Sequence, residues 1–139
     1  MKKDSIQYGN NFQNNDHLGT LFGCKLVSVS EEECIYEYEV SKNHFNPNGT
    51  LHGGTLFSVM DTSQGAFIHF ILEDTYKYAA TGTATIRYLA PVTEGKIKIK
   101  TWLKEKAKRR YILLSTAYNE SGKEVATLEE IWTIYGKTE

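Results

Sequence analysis

The sequence predicts an α+β domain in which one long apolar helix packs against five or six antiparallel strands. Three observations carry that reading. From Gly53 onward, Leu56, Val59, Met60, Phe67, Phe70 and Ile71 recur at the i, i+3, i+4 spacing of a helical stripe. Tyr36, Tyr38 and Val40 alternate with Glu37 and Glu39, the period-2 pattern of a half-buried strand. Ile97, Ile99, Thr101 and Leu103 likewise alternate with Lys96, Lys98 and Lys100.

The elements follow in order. Residues 1–16 are polar and asparagine-rich (Asn10, Asn11, Asn14, Asn15) and are expected to be loosely ordered. Residues 17–139 are expected to form a single domain. His17 to Phe22 predicts a short helix that buries Leu18, Leu21 and Phe22. Strands are expected at Cys24 to Val29 and Glu33 to Val40, around the polar turn Ser30-Glu31-Glu32. After the helix at 53–72, Glu73-Asp74 marks a break, and Tyr78 to Ala90 reads as a long strand stopped by Pro91 and Gly95. Lys96 to Lys104, Arg110 to Tyr118 and Val125 to Tyr135 complete the sheet, with Gly122 in the last hairpin turn.

Composition narrows the function. A chain of 139 residues with 40% hydrophobic and 24% charged residues is a globular domain by size and make-up. A net charge of −1 gives no electrostatic case for nucleic acid. No run approaches the ~20 apolar residues of a membrane span, and the start lacks the apolar core of a secretory signal, so a cytoplasmic location is expected. Cys24 and Cys34 lack metal-ligand or Cys-x-x-Cys spacing and fit as small apolar strand residues. His44 and His52 lie eight apart across a proline turn, not as the i, i+4 pair of a helical zinc site, so no metal is expected.

The most informative stretch runs from His44 to Asp61. Asn46-Pro47-Asn48-Gly49 is turn chemistry, and Gly53-Gly54 opens the helix. The first N–H groups of a helix lack intrahelical partners and carry partial positive charge, and glycine leaves them unshielded. Such a terminus is either an anion or carbonyl site or structural punctuation. Asp61 is a lone carboxylate in the otherwise poorly charged segment from Thr55 to Leu72, and burying it is costly unless it is paired; the competing reading is a bond to a nearby loop backbone or a wet face beside Ser58, Thr62 and Gln64. At ~1.5 Å rise per residue it lies roughly 12 Å from the Gly53 N–H. One helix therefore cannot aim both groups at a single atom. If both act on one substrate, they come from two copies of the chain.

The pattern Asn46-x-x-Gly49-x-x-His52-Gly53-Gly54, followed by Asp61, resembles the hotdog-fold acyl-CoA thioesterases, within them the phenylacetic-acid-degradation (PaaI-like) branch. Thr81 to Pro91, then Gly95, resembles the long central strand of that family and its exit turn. The likeness spans about Leu18 to Tyr135. It implies a sheet wrapped around the helix, assembly as homodimers or dimers of dimers, and hydrolysis of an aryl- or medium-chain acyl-CoA without a cofactor. It implies the Gly53 N–H as oxyanion donor and Asp61 of a partner chain as general base or, alternatively, nucleophile. Asn46 matches a position that holds the site or substrate. His52 matches one near the thioester sulfur, or else is a helix-start residue bonded to its loop. Thr81 matches one that orients water beside the carboxylate, or else is a plain strand threonine.

Gly54, Arg87, Lys108, Arg109 and Arg110, with Lys104 and Lys106 nearby, are candidate contacts for substrate and the phosphates of coenzyme A. The competing reading of the basic run is a solvated hairpin turn. Two functions of other kinds compete with hydrolysis: a non-catalytic acyl-CoA-binding protein, and an enoyl-CoA hydratase or dehydratase.

Overall fold

A computed structural model describes residues 3–72 and 76–137. In chain order these form α1 (Ser5–Asn15), α2 (His17–Leu21), β1 (Lys25–Val29), β2 (Cys34–Glu39), a single 3₁₀ turn at Lys42–His44, α3 (Gly53–Ile71), β3 (Tyr76–Tyr88), β4 (Lys96–Lys106), β5 (Arg110–Tyr118) and β6 (Glu124–Lys137). The expected break at Glu73-Asp74 lies outside the described residues. The six strands make one antiparallel sheet in the order β1-β2-β4-β5-β6-β3, with α3 packed on it. This is the hotdog arrangement that the motif implies.

Two N-terminal expectations need correction. Most of the segment expected to be loose is helical: Asp4 caps α1 by accepting from the Ile6 and Gln7 N–H groups. The Tyr8 hydroxyl then reaches the Ala66 carbonyl on α3, at 2.6 Å. The polar sequence hid this helix because it docks through a few aromatic and amide side chains, not through an apolar stripe. In α2, Leu18 and Leu21 are exposed and Gly19 is the buried residue. Five residues make little more than one turn, and its packing is set by Asp16. That carboxylate caps the Gly19 N–H and accepts from the buried Tyr36 hydroxyl. A Cβ at Gly19 would fall on both Asp16 and Tyr36. Gly19→Ala is therefore expected to destabilise the protein by about 1–3 kcal/mol, read as a lower urea midpoint at unchanged slope.

The core is built as the alternation predicts. Tyr36, Tyr38, Ile97 and Ile99 are fully buried on the face that receives Leu56, Val59 and Met60 of α3. Phe67, Ile68 and Phe70 pack with Leu113, Trp132 and Ile134 in a second cluster. Cys24 and Cys34 are buried free thiols, as small apolar residues would be.

One polar residue fixes how α3 sits on the sheet. Gln64 is fully buried, and its amide donates to Ser115 Oγ at 3.0 Å and to the Leu113 and Leu128 carbonyls at 3.3 Å. Its Oε1 accepts from Trp132 Nε1 at 2.9 Å. A buried amide with satisfied partners has one acceptable seat, so the network sets helix rotation and depth where apolar packing alone would slide. Asp61, three residues earlier, is positioned by it.

β3 is an edge strand of 13 residues, and its open side has no partner strand among the described residues. Among those residues no helix is long and apolar enough to cross a membrane.

Candidate active site

The loop before α3 folds around Asn46. Its Oδ1 accepts from the Asn48 and Thr50 N–H groups, at 2.9 and 3.2 Å, and its amide donates to Thr50 Oγ1 at 2.9 Å. Gly49 stands at φ 80°, the left-handed backbone for which glycine is suited. Asn46 thus shapes the turn, and it also lines a cavity of about 350 Å³ with Gly53, Leu56, Tyr88, Pro91 and Val92.

His52 is the N-cap of α3, and its Nδ1 accepts from the Gly54 N–H at 2.8 Å. With Nδ1 an acceptor, the neutral ring carries its proton on Nε2, away from the helix. The structural and chemical readings of His52 are thus compatible: one nitrogen caps and the other remains a donor. The Thr55 and Leu56 N–H groups turn back to the His52 carbonyl. That leaves the Gly53 N–H, which has no partner among the described residues and stands at the cavity wall.

Gly53 and Gly54 therefore differ in use. Gly54, expected to contact substrate, spends its N–H on His52, and a Cβ there would press on the His52 ring at 3.0 Å. Its glycine is needed for the cap. A Cβ on Gly53 would meet the Tyr88 ring at 3.0 Å, and the Tyr88 hydroxyl donates to the Gly53 carbonyl at 2.6 Å. Tyr88, 35 residues downstream of Gly53, closes one side of the cavity; its place in the family-like strand was the sole signal for it.

Asp61 is half-buried on the third turn of α3 and does not line that cavity. Thr81 Oγ1 donates to Asp61 Oδ1 at 2.9 Å. A bulge in β3 between Thr81 and Thr83 aims that hydroxyl, with Gly82 close against Thr133 Oγ1 and the Ile131 carbonyl. Within the chain the candidate residues thus fall into two groups: Gly53, His52 and Asn46 at the start of α3, Asp61 and Thr81 two turns on.

A residue without a motif lies beside the second part. Glu130 of β6 has no solvent exposure, and neither carboxyl oxygen has a hydrogen-bond partner among the described residues. Burial, and then the neighbouring Asp61 carboxylate, push its carboxyl up to about 9. The sequence did carry a signal: Leu128, Glu130, Trp132 and Ile134 alternate inward, so a carboxylate occupies a core position.

The basic candidates are not gathered. Arg110 pairs across β6 with Thr133, which faces Ala80 of β3. Arg87 lies seven residues along β3 from Ala80, roughly 23 Å at ~3.3 Å per residue. Lys108, Arg109 and Arg110 are exposed at the β4–β5 turn, and Lys104 pairs with Glu129 at 2.8 Å. His44 and His69 have structural partners: His44 Nδ1 bonds the Tyr38 hydroxyl, and His69 takes the Gly65 carbonyl and the Ala79 N–H. Among the described residues no cluster of three or more His, Cys, Asp or Glu could hold a metal ion.

Solved structures with the same fold include the Escherichia coli PaaI protein from the phenylacetic acid degradation operon. It is 21% identical, with a TM-score of 0.86 over 96% of this chain and 94% of that one. The Haemophilus influenzae thioesterase HI1161 is 16% identical, with a TM-score of 0.87 over 97% and 93%. A Streptococcus mutans protein solved with acetyl CoA is 22% identical, with a TM-score of 0.76 over 84% and 91%. In sequence, the Saccharolobus solfataricus protein named "Putative esterase SSO1253" is 25% identical over 118 residues, 81% of this chain and 77% of that protein. The sequence model of the Thioesterase superfamily matches residues 48–126, from the turn before Gly53-Gly54 through Asp61 and on into β6. With more than half of its length so matched, the chain belongs to the Thioesterase superfamily.

Proposed function

We propose that this protein is an acyl-CoA thioesterase that hydrolyses an aryl- or medium-chain acyl-CoA to the free acid and coenzyme A, at a site shared by two protomers. The observation that carries the reading is the Gly53 N–H, the one donor of the first turn without a partner among the described residues, on a residue that lines a cavity of about 350 Å³. The dipole of a 19-residue helix lies behind it. The thioester carbonyl oxygen accepts this N–H, which stabilises the negative charge that grows there as the carbonyl carbon becomes tetrahedral.

Asp61 of the partner chain takes a proton from water, and the resulting hydroxide adds to the carbonyl carbon. Collapse of the intermediate breaks the C–S bond, and the thiolate leaves near the Nε2–H of His52. Thr81 holds the Asp61 carboxylate. The open edge of β3 supports the assembly: Thr81, Gly82, Thr83, Ala84 and Thr85 are exposed in the single protomer, and a long unpaired edge is a template for another strand. Pairing two β3 edges about a two-fold axis can bring each Asp61 toward the other chain's Gly53.

Release of free thiol from a panel of acyl-CoAs tests the reading. Turnover of aryl or medium-chain thioesters is expected. Tight binding without thiol release would favour a binding protein instead, and water addition to an enoyl-CoA would favour a hydratase. The acetyl CoA complex of the S. mutans neighbour supports coenzyme A as the carrier. For its phosphates the exposed Lys108, Arg109 and Arg110 turn is the candidate. Arg109→Ala with Arg110→Ala is expected to raise KM for acyl-CoA about tenfold and to leave a short pantetheine thioester nearly unaffected. Equal shifts on both substrates would remove the turn from binding.

A further inference from the structure

We propose that Glu130 is a positioning residue for Asp61: a buried carboxylic acid that stays protonated and presents its proton to the Asp61 carboxylate. The inference rests on the thioesterase reading and adds to it a residue outside the motif. Its basis is geometric. Glu130 points inward from β6 between the buried Leu128 and Trp132, fully sealed, with both oxygens lacking a partner among the described residues. Its neighbours across the sheet are Ala84 on β3 and Leu113 on β5, neither of which can neutralise it. From α3 the ionisable group that acts on it is Asp61, with neutral Gln64 beyond; the Trp132 indole, bonded to Gln64, acts on Glu130 in the opposite sense, and burial together with Asp61 outweighs it.

Two carboxylates cannot both stay charged at such a place. The sealed member is the one that keeps its proton, and the half-exposed one is held by Thr81. A neutral acid can hold Asp61 with an O–H and add no charge next to the growing oxyanion. The same seat filled by a lysine would neutralise the base, and filled by leucine would leave it held by Thr81 alone. In the reaction the proton on Glu130 stays there; the proton taken from water goes to Asp61 and then to the departing thiolate.

The test uses the full-length protein, with Glu130→Gln and Glu130→Leu. Glu130→Leu is expected to lower kcat about tenfold to a hundredfold with KM little changed, and Glu130→Gln, a neutral donor of the same size, to restore most of it. In the wild type kcat is expected to fall as pH rises through about 9, where Glu130 would ionise beside Asp61, and in Glu130→Gln that alkaline limb is expected to be gone. A structural role alone would leave the limb in place.

Two readouts need no turnover. Infrared spectra at neutral pD should show a protonated-carboxyl band that Glu130→Gln lacks. Because burial raises this acid, its share of folding stability is intact below the ordinary carboxylate range and is lost as pH rises toward about 9. The wild type should therefore lose thermal stability between neutral pH and pH ~9, and Glu130→Gln should lose less. A missing band, or an alkaline limb that persists in Glu130→Gln, would overturn the proposal while leaving thioester hydrolysis intact. Absence of thiol release from every thioester, with the band present, would instead defeat the thioesterase reading and with it the role of the pair.

Discussion

Asp61→Asn is expected to lower kcat by about 10²–10⁴ while KM stays within a few-fold, because it removes a general base and little else. The substitution is nearly isosteric, and the asparagine Oδ1 still accepts from Thr81 Oγ1, the 2.9 Å bond that sets the side chain's direction. The Gln64 network that seats α3 on the sheet is untouched. A loss of activity therefore reports chemistry and not unfolding, and an unchanged melting temperature at neutral pH checks this. A variant within a few-fold of the wild type would remove Asp61 from the mechanism.

Gly53→Pro is expected to cost about 10²–10³ in kcat, the usual worth of one oxyanion donor. Proline is ordinarily a poor substitution in a helix, but here it would occupy the first helical position, where its missing N–H breaks no intrahelical bond. His52 already has the extended backbone that a residue before proline requires, at φ −63° and ψ 131°. The half-exposed Tyr88 ring must swing aside, as it must for Gly53→Ala, in which a Cβ would meet it at 3.0 Å. Gly53→Ala keeps the N–H, so it measures the steric cost alone, and the difference between the two variants measures the donor.

Together these variants test the shared site. Each alone is inactive by expectation. When the two are mixed and allowed to exchange subunits, half of the dimers carry both mutations in separate chains. One of the two sites in such a dimer then has an intact Gly53 N–H and an intact Asp61, so about a quarter of wild-type activity should return. No recovery, with exchange verified by mass spectrometry of differently tagged chains, would place both groups in one protomer's site.

What the sequence by itself determined was whatever depends on local order. The 3.6-residue stripe from Leu56 to Ile71 and the period-2 alternation of Tyr36, Tyr38, Ile97 and Ile99 are consequences of burying one face, so the helix and the sheet were legible to within a few residues. The turn at Asn46 to Gly49 and the Gly-Gly helix start were equally plain, because backbone conformation and capping are set by neighbours in the chain. The ~12 Å between Gly53 and Asp61 followed from helix rise alone.

Tertiary structure decided the rest, because it turned on which distant side chains compete for the same atoms. Only folding shows that His52 takes the Gly54 N–H and leaves that of Gly53 without a partner among the described residues, or that Tyr88 closes on the Gly53 carbonyl. The α1 helix is not legible in the sequence because its docking uses Tyr8 and Gln13 rather than an apolar stripe. Arg87 and the Arg110 turn are both candidate phosphate contacts in the sequence, and the strand register places them well apart within one chain, Arg110 level with Ala80 and Arg87 seven residues further along β3. Glu130 was readable as an odd carboxylate on an inward face. Its meaning came only from the sheet's closure over α3, which takes the acid out of water and sets it against Asp61.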